Sequence, residues 1–253
     1  MPYMTALRAV PPPLDLAELA RRFTGVDARE LITWAAQTFG PGLVVSTSFG
    51  AQSAVMLHLV SEVAPETPVI FVDTGYLFPE TYRFAEELNT RLKLNLKTYA
   101  APMSAARQEA LYGKLWEEGE DGIKAYLQRN KVEPMQRALS ELGATAWLAG
   151  IRQGQTSHRA RLRPVEQQDG RYKIHPILSW TEEDVNAYLA RHGLPQHPLV
   201  AQGYRSIGDV HSTIPTTPDQ DPREGRLLGQ KRECGLHLPL SPEQSASLRS
   251  SGL

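Results

Sequence analysis

A series of short apolar runs, each ending at polar or glycine residues, most constrains the fold of this 253-residue chain. Residues 43–46, 69–72 and 146–149 are such runs, and residues 94–99 alternate like a further strand. Helical patterns separate them at residues 51–60, 79–89 and 119–142, with a later helix that Thr181 and Asp184 cap. Strands that alternate with helices predict an α/β fold, in which a mostly parallel, twisted sheet carries helices on both faces.

Shifts in composition divide the chain into three parts. Residues 1–30 are predicted to be an N-terminal extension with a lead-in helix, and residues 31–212 a nucleotide-binding α/β domain. Residues 213–228 are rich in Pro, Asp, Arg and Gly and show little periodicity. We therefore expect residues 213–253 to form a flexible C-terminal tail.

The overall composition excludes several classes of protein. A net charge of −1 predicts neither nucleic-acid nor membrane binding. The first residues lack a leader-peptide pattern, and no segment has the roughly 20 consecutive apolar residues of a membrane span. A single cysteine fits a reducing compartment. The expectation is a cytoplasmic protein.

That single cysteine, Cys234, limits the redox chemistry open to the chain. One thiol forms no internal disulfide and cannot hold an iron–sulfur cluster, which usually needs four cysteine ligands. As a nucleophile it would need an external reductant, and its neighbours Lys231, Arg232 and His237 would lower its pKa. The alternative is a small buried hydrophobic side chain.

Polar turns follow the predicted strands, where ligands bind in sheets of this kind. Residues 46–53 read Ser-Thr-Ser-Phe-Gly-Ala-Gln-Ser, and backbone N–H groups at the following helix start could hold a phosphate oxyanion. An ordinary capped turn is the alternative. The segment is not a Walker A loop, and it resembles the PP-loop of adenine-nucleotide α-hydrolases.

A run of basic residues follows the strand at 146–149. Residues 152–163 contain four arginines and His158 but no acidic residue. Arginines at a strand end suit bidentate recognition of phosphate or sulfate, although a solvated basic face is the alternative. The spacing of His197, Asp209 and His211 is a weak metal pattern, so no metal site is predicted.

Six segments together resemble the phosphoadenylyl-sulfate (PAPS) reductase family, over residues 31–237. They are Ser46-Thr47-Ser48-Phe49-Gly50, residues 73–82 from Asp73-Thr74-Gly75 to Tyr82, Tyr112-Gly113-Lys114-Leu115-Trp116, Asn130-Lys131-Val132-Glu133-Pro134-Met135, Ser206-Ile207-Gly208-Asp209, and Lys231-Arg232-Glu233-Cys234-Gly235-Leu236-His237.

The resemblance implies reductive cleavage of PAPS in sulfate assimilation and cysteine biosynthesis. Cys234 would attack the sulfonyl sulfur, adenosine 3′,5′-bisphosphate would leave, and thioredoxin or glutaredoxin would release sulfite from the S-sulfocysteine. It also implies a homodimer. The implied substrate-binding residues are Ser46, Ser48, Phe49, Gly50, Ser53, Asp73, Thr74, Gly75, Lys131, Gly150, Arg152, Arg159, Arg161, Arg232 and His237.

A related branch of the family uses adenylyl sulfate (APS) and carries a [4Fe–4S] cluster. Its ligand positions correspond here to Tyr126-Leu127, Asp209 and Ser212, so the resemblance implies a cluster-free enzyme with no bound cofactor. Such enzymes prefer PAPS, and Arg152, Arg159 and Arg161 are the candidates for reading its 3′-phosphate.

Three alternatives remain at this point. The chain could be an APS-preferring reductase without a cluster, or a PP-loop enzyme that uses ATP as a nucleotide hydrolase or adenylyltransferase. It could also be a nucleotide-binding protein without catalytic activity.

Overall fold

A computed structural model describes residues 13–156, 159–217, 219–221 and 224–226. The strands are β1 (Leu43–Thr47), β2 (Val69–Asp73), β3 (Leu96–Ala100), β4 (Ala146–Ala149), β5 (Val165–Gln168) and β6 (Arg171–Ile174). The α-helices are α1 (Leu16–Phe23), α2 (Ala28–Phe39), α3 (Ser53–Val63), α4 (Pro79–Leu92), α5 (Ala105–Tyr112), α6 (Gly119–Leu127), α7 (Glu133–Glu141) and α8 (Glu182–Arg191).

The strands form one sheet in the order β3-β2-β1-β4-β6-β5. All neighbouring pairs are parallel except β5 with β6, so the predicted mostly parallel sheet is confirmed. The chain runs outward from β1 through β2 to β3 and then returns to place β4 on the other side of β1. This reversal creates a crevice at the carboxyl ends of β1 and β4, where open α/β sheets bind ligands.

Helices cover both faces of the sheet, as predicted. Successive residues of β1 point to opposite faces, and Val45 and Val44 accordingly belong to different apolar clusters. Val45 packs in the larger cluster, which includes buried residues of α1, α2, α3, α4 and α8. Val44 packs in the smaller one, which α7 covers with Met135 and Leu139. The first two helices thus share a core with the sheet.

The hairpin of β5 and β6 at the edge of the sheet was missing from the sequence-based prediction. Asp169 and Gly170 connect the two strands, with φ of 51° and 77°. Positive φ at both central residues is the geometry of the two-residue hairpin turn that Asp-Gly favours. That dipeptide was the available signal, but the strands are short and carry few apolar residues.

Residues 119–142 are largely helical, as predicted, but the helix is interrupted. A π-helical segment, Gln128–Val132, joins α6 to α7, and Pro134 lies in the first turn of α7, where its missing N–H costs little. The wider π turn carries Lys131, and the side chains of Asn130 and Gln108 exchange two amide hydrogen bonds of 2.8 and 3.1 Å behind it.

Helix α8 begins as predicted, because Thr181 and Asp184 form a reciprocal capping box. Beyond α8, Thr213 pairs in an antiparallel bridge with Arg226, so this part of the chain turns back on itself. Across the described residues, no helix combines the length and apolar character needed to cross a membrane.

Candidate active site

A cavity of about 230 Å³ opens at the carboxyl ends of β1, β2 and β4, which is the edge that the sequence indicated. The main parts of the chain that line it are the segment after β1, the turn after β2, the π turn before α7, the segment after β4, and the loop at residues 205–208. Arg226 reaches it from the returning chain beyond Thr213. The cavity therefore combines the polar turns that the sequence analysis singled out.

The segment between β1 and α3 is built to present backbone N–H groups to the cavity. Phe49 adopts a φ of 46° and buries its ring against Phe71, with the ring centroids 4.9 Å apart. Among the described residues, the N–H groups of Gly50, Ala51 and Gln52 find no hydrogen-bond acceptor. Unpaired N–H groups at the start of α3 suit an anionic ligand.

Lys131 and Asp209 form a buried ion pair at the wall of the cavity. The Lys131 Nζ lies 2.5 Å from Asp209 Oδ2, and the Asp209 side chain is 0% exposed. Thr74 donates its hydroxyl to Asp209 Oδ1 at 2.7 Å. Burial raises the pKa of Asp209, but the charge of Lys131, its hydrogen bond and that of Thr74 outweigh burial and hold the pKa below its ordinary value. Asp209 is therefore ionised and fixes the Lys131 amino group at the cavity.

Arg152 and Arg159 form a second cationic group in the same cavity. Both are buried, at 8% and 5% exposure, and Gln155 accepts hydrogen bonds from the Arg152 backbone and from the Arg159 guanidinium. The Arg152 guanidinium donates to Gln52 Oε1 at 2.5 Å and to the Trp180 carbonyl at 3.4 Å. Burial lowers the pKa of Arg152, and the charge of Arg159 adds to the shift.

Arg226 was absent from the sequence-based candidates, because the segment that carries it was expected to be flexible. Its guanidinium donates to the Ile207 carbonyl at 2.8 Å, and a Cβ at Gly208 would overlap it. The Gly208 position thus admits Arg226 only because it lacks a side chain. In the sequence, the feature that pointed to this close contact was Gly208, which follows Ser206 and Ile207.

The structure brings most of the predicted binding residues within its described part to this cavity. The lining includes Ser46, Ser48, Gly50, Ser53, Thr74, Lys131, Gly150, Arg152 and Arg159. Ser46 also accepts a hydrogen bond from the Trp147 indole at 2.7 Å. An N–H donor on that side fixes the Ser46 oxygen as an acceptor and leaves its own proton for another partner.

Four predicted residues are placed differently. The Phe49 side chain is fully buried in the core, and Arg161 is exposed outside the cavity lining. Asp73 accepts from the Gly75 N–H at 2.8 Å and the Tyr82 hydroxyl at 2.7 Å, so its carboxylate shapes the turn after β2. Gly75 supplies that turn with a φ of 76°. Phe49, Asp73 and Gly75 therefore shape the core and the turn after β2, and Arg161 lies on the surface.

The remaining predicted residues, Arg232, Cys234 and His237, lie outside the described residues, as does His158 of the basic run.

In the described part of the chain, His197, Asp209 and His211, the residues of the weak metal pattern, do not form a metal site. No group of three His, Cys, Asp or Glu residues there could hold a metal ion. Asp209 faces Lys131, whereas the Nε2 of His197 lies 3.0 Å from the Thr81 hydroxyl.

Comparison with known proteins decides the family. A sequence profile of the phosphoadenosine phosphosulfate reductase domain matches residues 42–215. The chain belongs to the phosphoadenosine phosphosulfate reductase family. The match spans β1 to β6, α8 and the loop of Asp209, and so includes most of the cavity.

Members of this reductase family with curated names cover nearly the whole chain. A phosphoadenosine 5′-phosphosulfate reductase of Synechocystis sp. is 57% identical over 95% of this chain and 97% of its own length. One of Xylella fastidiosa is 52% identical over 92% and 99% of the two chains.

Solved structures agree with this assignment. A crystal structure of PAPS reductase from Candida auris, in a phosphate complex, superposes with a TM-score of 0.71 at 33% identity, covering 80% of this chain and 99% of that one. The FMN adenylyltransferase of Candida glabrata gives a TM-score of 0.58 at 17% identity over 96% and 85% of the two chains, which shows a shared fold alone. The predicted α/β fold with a mostly parallel sheet is thus confirmed.

Proposed function

We propose that this protein reduces 3′-phosphoadenylyl sulfate to sulfite and adenosine 3′,5′-bisphosphate through a sulfonated Cys234. The observation that carries the proposal is the cationic cavity at the carboxyl ends of β1, β2 and β4, in a chain of the PAPS reductase family. Lys131, Arg152, Arg159 and Arg226 all line this cavity. The chain as a whole carries a net charge of only −1, so the positive character of this cavity is local. A small polyanionic nucleotide matches such a local charge better than a large nucleic acid does.

In the proposed reaction, the Cys234 thiolate attacks the sulfur of the sulfonyl group. A sulfur–sulfur bond forms, the bond from sulfur to the bridging phosphate oxygen breaks, and adenosine 3′,5′-bisphosphate leaves with that electron pair. Negative charge then develops on the departing phosphate. The amino group of Lys131, held in place by Asp209, and the guanidinium of Arg226 are the cations proposed to stabilise it.

The second half-reaction needs two electrons from outside the protein. A dithiol of thioredoxin or glutaredoxin attacks the S-sulfocysteine, sulfite leaves, and the second thiol of the donor resolves the mixed disulfide. The donor ends as a disulfide, and Cys234 returns as a thiolate. The single cysteine of the chain supports an external electron donor, because one thiol alone cannot supply both electrons.

The remaining features stay predictions. We propose that the enzyme carries no iron–sulfur cluster, since the single cysteine gives too few ligands and the corresponding positions hold Tyr126-Leu127, Asp209 and Ser212. We also propose that it forms a homodimer in a reducing cytoplasm and that the chain beyond residue 213 opens and closes during turnover. Protease sensitivity of that segment that is the same with and without adenosine 3′,5′-bisphosphate would count against the opening and closing.

The test of the function is sulfite release from PAPS in the presence of reduced thioredoxin. The wild-type protein is expected to turn over, and Cys234→Ser is expected to lose at least about a thousandfold in rate, because a hydroxyl replaces the thiolate nucleophile. A matched control is Ser251→Ala, another substitution in the C-terminal region. Equal sulfite release by wild type and Cys234→Ser would reject the mechanism.

A further inference from the structure

Lys173 of β6 is a buried cation that lies outside the lining of the nucleotide cavity. Its side chain is 3% exposed, although lysine is almost never fully buried unless it is paired. An apolar side chain at this place would need no desolvation of a charge and would extend the smaller apolar cluster, to which the neighbouring Trp147 belongs. The presence of a charge here therefore calls for a reason other than stability.

The ammonium group of Lys173 lies over the indole of Trp147. The two residues are directly paired in the register of β4 and β6, so both side chains leave the same face of the sheet. The Lys173 Nζ is 4.4 Å from the centre of the Trp147 ring, and it also donates a hydrogen bond to Gln168 Oε1 at 2.6 Å. A cation within about 6 Å of a ring centre is attracted by the negative face of the ring, most strongly by that of tryptophan.

The carboxylate of Glu166 acts on Lys173 from the other side, because Glu166 of β5 is its partner in the hairpin register. Burial raises the pKa of the Glu166 carboxyl, but its contact with the His175 ring and the charge of Lys173 are among the influences that hold this pKa below its ordinary value. Since β6 lies between β5 and β4, the ammonium group stands between the carboxylate and the indole. Glu166 thus offsets part of the charge, while the positive end of the pair faces Trp147.

The edge of the same indole reaches the nucleotide cavity. Trp147 Nε1 donates to Ser46 Oγ at 2.7 Å, and Ser46 is part of the cavity lining. A hydroxyl oxygen that accepts a hydrogen bond on one side can direct its own proton to an acceptor on the other. Lys173, Trp147 and Ser46 thus form one line of contacts across β6, β4 and β1, which runs from the hairpin to the ligand.

We propose that Lys173 is a positioning residue for nucleotide binding, which acts through the Trp147 indole on the Ser46 hydroxyl. This inference rests on the proposed function for the identity of the nucleotide. The ammonium group holds the ring at one angle, and it draws electron density from the ring, so that the indole N–H becomes a stronger donor to Ser46. A firmly held Ser46 oxygen keeps its proton turned toward the ligand. Loss of the charge should therefore weaken binding although Lys173 does not touch the ligand.

The experiment compares two neutral variants, Lys173→Met and Lys173→Gln, with the wild type and with Lys173→Arg, which keeps a cation beside the ring. The matched control is Lys97→Met, since Lys97 is an exposed lysine of strand β3 outside the cavity lining. KM and kcat are measured for PAPS with reduced thioredoxin, and the dissociation constant of adenosine 3′,5′-bisphosphate is measured by calorimetry. The NMR resonance of the Trp147 indole N–H, identified by its absence from Trp147→Phe, reports on the hydrogen bond to Ser46. Either neutral variant suffices if the other fails to fold.

Both neutral variants are expected to raise KM for PAPS and the dissociation constant of the bisphosphate by about two- to fivefold, the loss of one cation–π contact, while kcat stays nearly constant. The indole N–H resonance should move upfield, because its hydrogen bond is weaker. Lys173→Arg and Lys97→Met should stay close to the wild type. In a Ser46→Ala background, Lys173→Met should have no further effect on either constant. An equal rise in both backgrounds would overturn the inference, because Lys173 would then act through packing alone.

Failure of the function and failure of the inference give different results, because the resonance and the calorimetry need no turnover. If the wild type releases sulfite but the neutral variants keep its dissociation constant and its indole resonance, the inference fails and the proposed function stands. If PAPS yields no sulfite but the neutral variants weaken bisphosphate binding only where Ser46 is present, the inference stands and the proposed reductase function fails.

Discussion

Lys131 and Arg152 lie in one cavity, but the protein holds their charges in opposite ways. The amino group of Lys131 meets a fully buried carboxylate, Asp209, at 2.5 Å. The guanidinium of Arg152 meets an amide and a backbone carbonyl. The difference teaches that the first cation is fixed by a carboxylate in direct contact, whereas the guanidinium of the second is held by neutral oxygens and feels the carboxylates of Glu182 and Asp184 only through their charge.

Energetically, the two arrangements respond differently to loss of the cation. Removing one partner of a buried ion pair leaves the other charge without compensation, at a cost of about 3–5 kcal/mol. Removing a cation held by neutral groups leaves only polar atoms, which lose about 1–3 kcal/mol if they stay unpaired. The following substitutions test this comparison.

The largest effect is expected for Lys131→Met. Turnover of PAPS and APS should fall by a factor of about 100 or more, because the variant lacks the cation proposed to stabilise the departing phosphate in both. The free energy of unfolding should fall by about 3 kcal/mol, since Asp209 becomes an unpaired buried carboxylate. Urea denaturation and sulfite assays measure the two quantities.

The double variant Lys131→Met with Asp209→Leu is the control. It removes both charges and should regain most of the stability but none of the activity. A double variant as unstable as Lys131→Met would show that the ion pair does not account for the loss.

The next largest effect is expected for Asp209→Asn, whose loss of stability should depend on pH. Because the folded protein holds the pKa of Asp209 below its ordinary value, the pair contributes stability that is complete above the unfolded value of about 3.9 and is lost as the pH falls through the lower folded value. The stability difference between wild type and Asp209→Asn should thus be largest near neutrality and shrink below about pH 4. Unfolding experiments from pH 7 to pH 3 follow it, and a constant difference would contradict the assignment.

A smaller effect is expected for Arg152→Met. Its neutral partners stay behind without a buried charge, so the unfolding free energy should fall by only about 1 kcal/mol. Urea denaturation beside Lys131→Met gives the comparison directly. A loss as large as that of Lys131→Met would mean that Arg152 compensates a carboxylate after all.

The smallest effect is expected for Trp147→Phe, which removes the indole N–H that Ser46 accepts. Without that donor, the Ser46 hydroxyl can turn away from the ligand, and KM should rise a few-fold while kcat stays nearly constant. The same substitution in a Ser46→Ala background should have no further effect on KM. An equal rise in both backgrounds would indicate a packing effect of Trp147, which is 3% exposed in the core.

The sequence predicted the sheet from β3 to β4, whereas it did not predict the hairpin of β6 and β5 beyond them. Residues 146–149 and 69–72 are continuous apolar runs because strands β4 and β2 are covered on both faces. The hairpin strands β5 and β6 include Gln167, Gln168 and Arg171, whose polar side chains hide the strand pattern. Only the Asp169-Gly170 turn between them indicated a hairpin in the sequence.

The site was predictable where its residues follow strands, and less so where it depends on long-range contacts. Ser46 lies near the carboxyl end of β1, and Thr74 and Gly150 directly follow β2 and β4, so the parallel strands bring the three residues to one edge. The Lys131–Asp209 ion pair joins residues far apart in the chain, and neither residue type reveals its partner. Arg226 enters the cavity through a bridge to Thr213 that no local pattern encodes.

The central claim, that Cys234 captures the sulfonate, is tested most directly by mass spectrometry. The protein is incubated with PAPS before any dithiol is added and is then digested. The peptide that contains Cys234 should gain the mass of one sulfonate group, and reduced thioredoxin should remove that group as sulfite. An unmodified peptide in a sample that nevertheless produces sulfite on addition of thioredoxin would contradict the account.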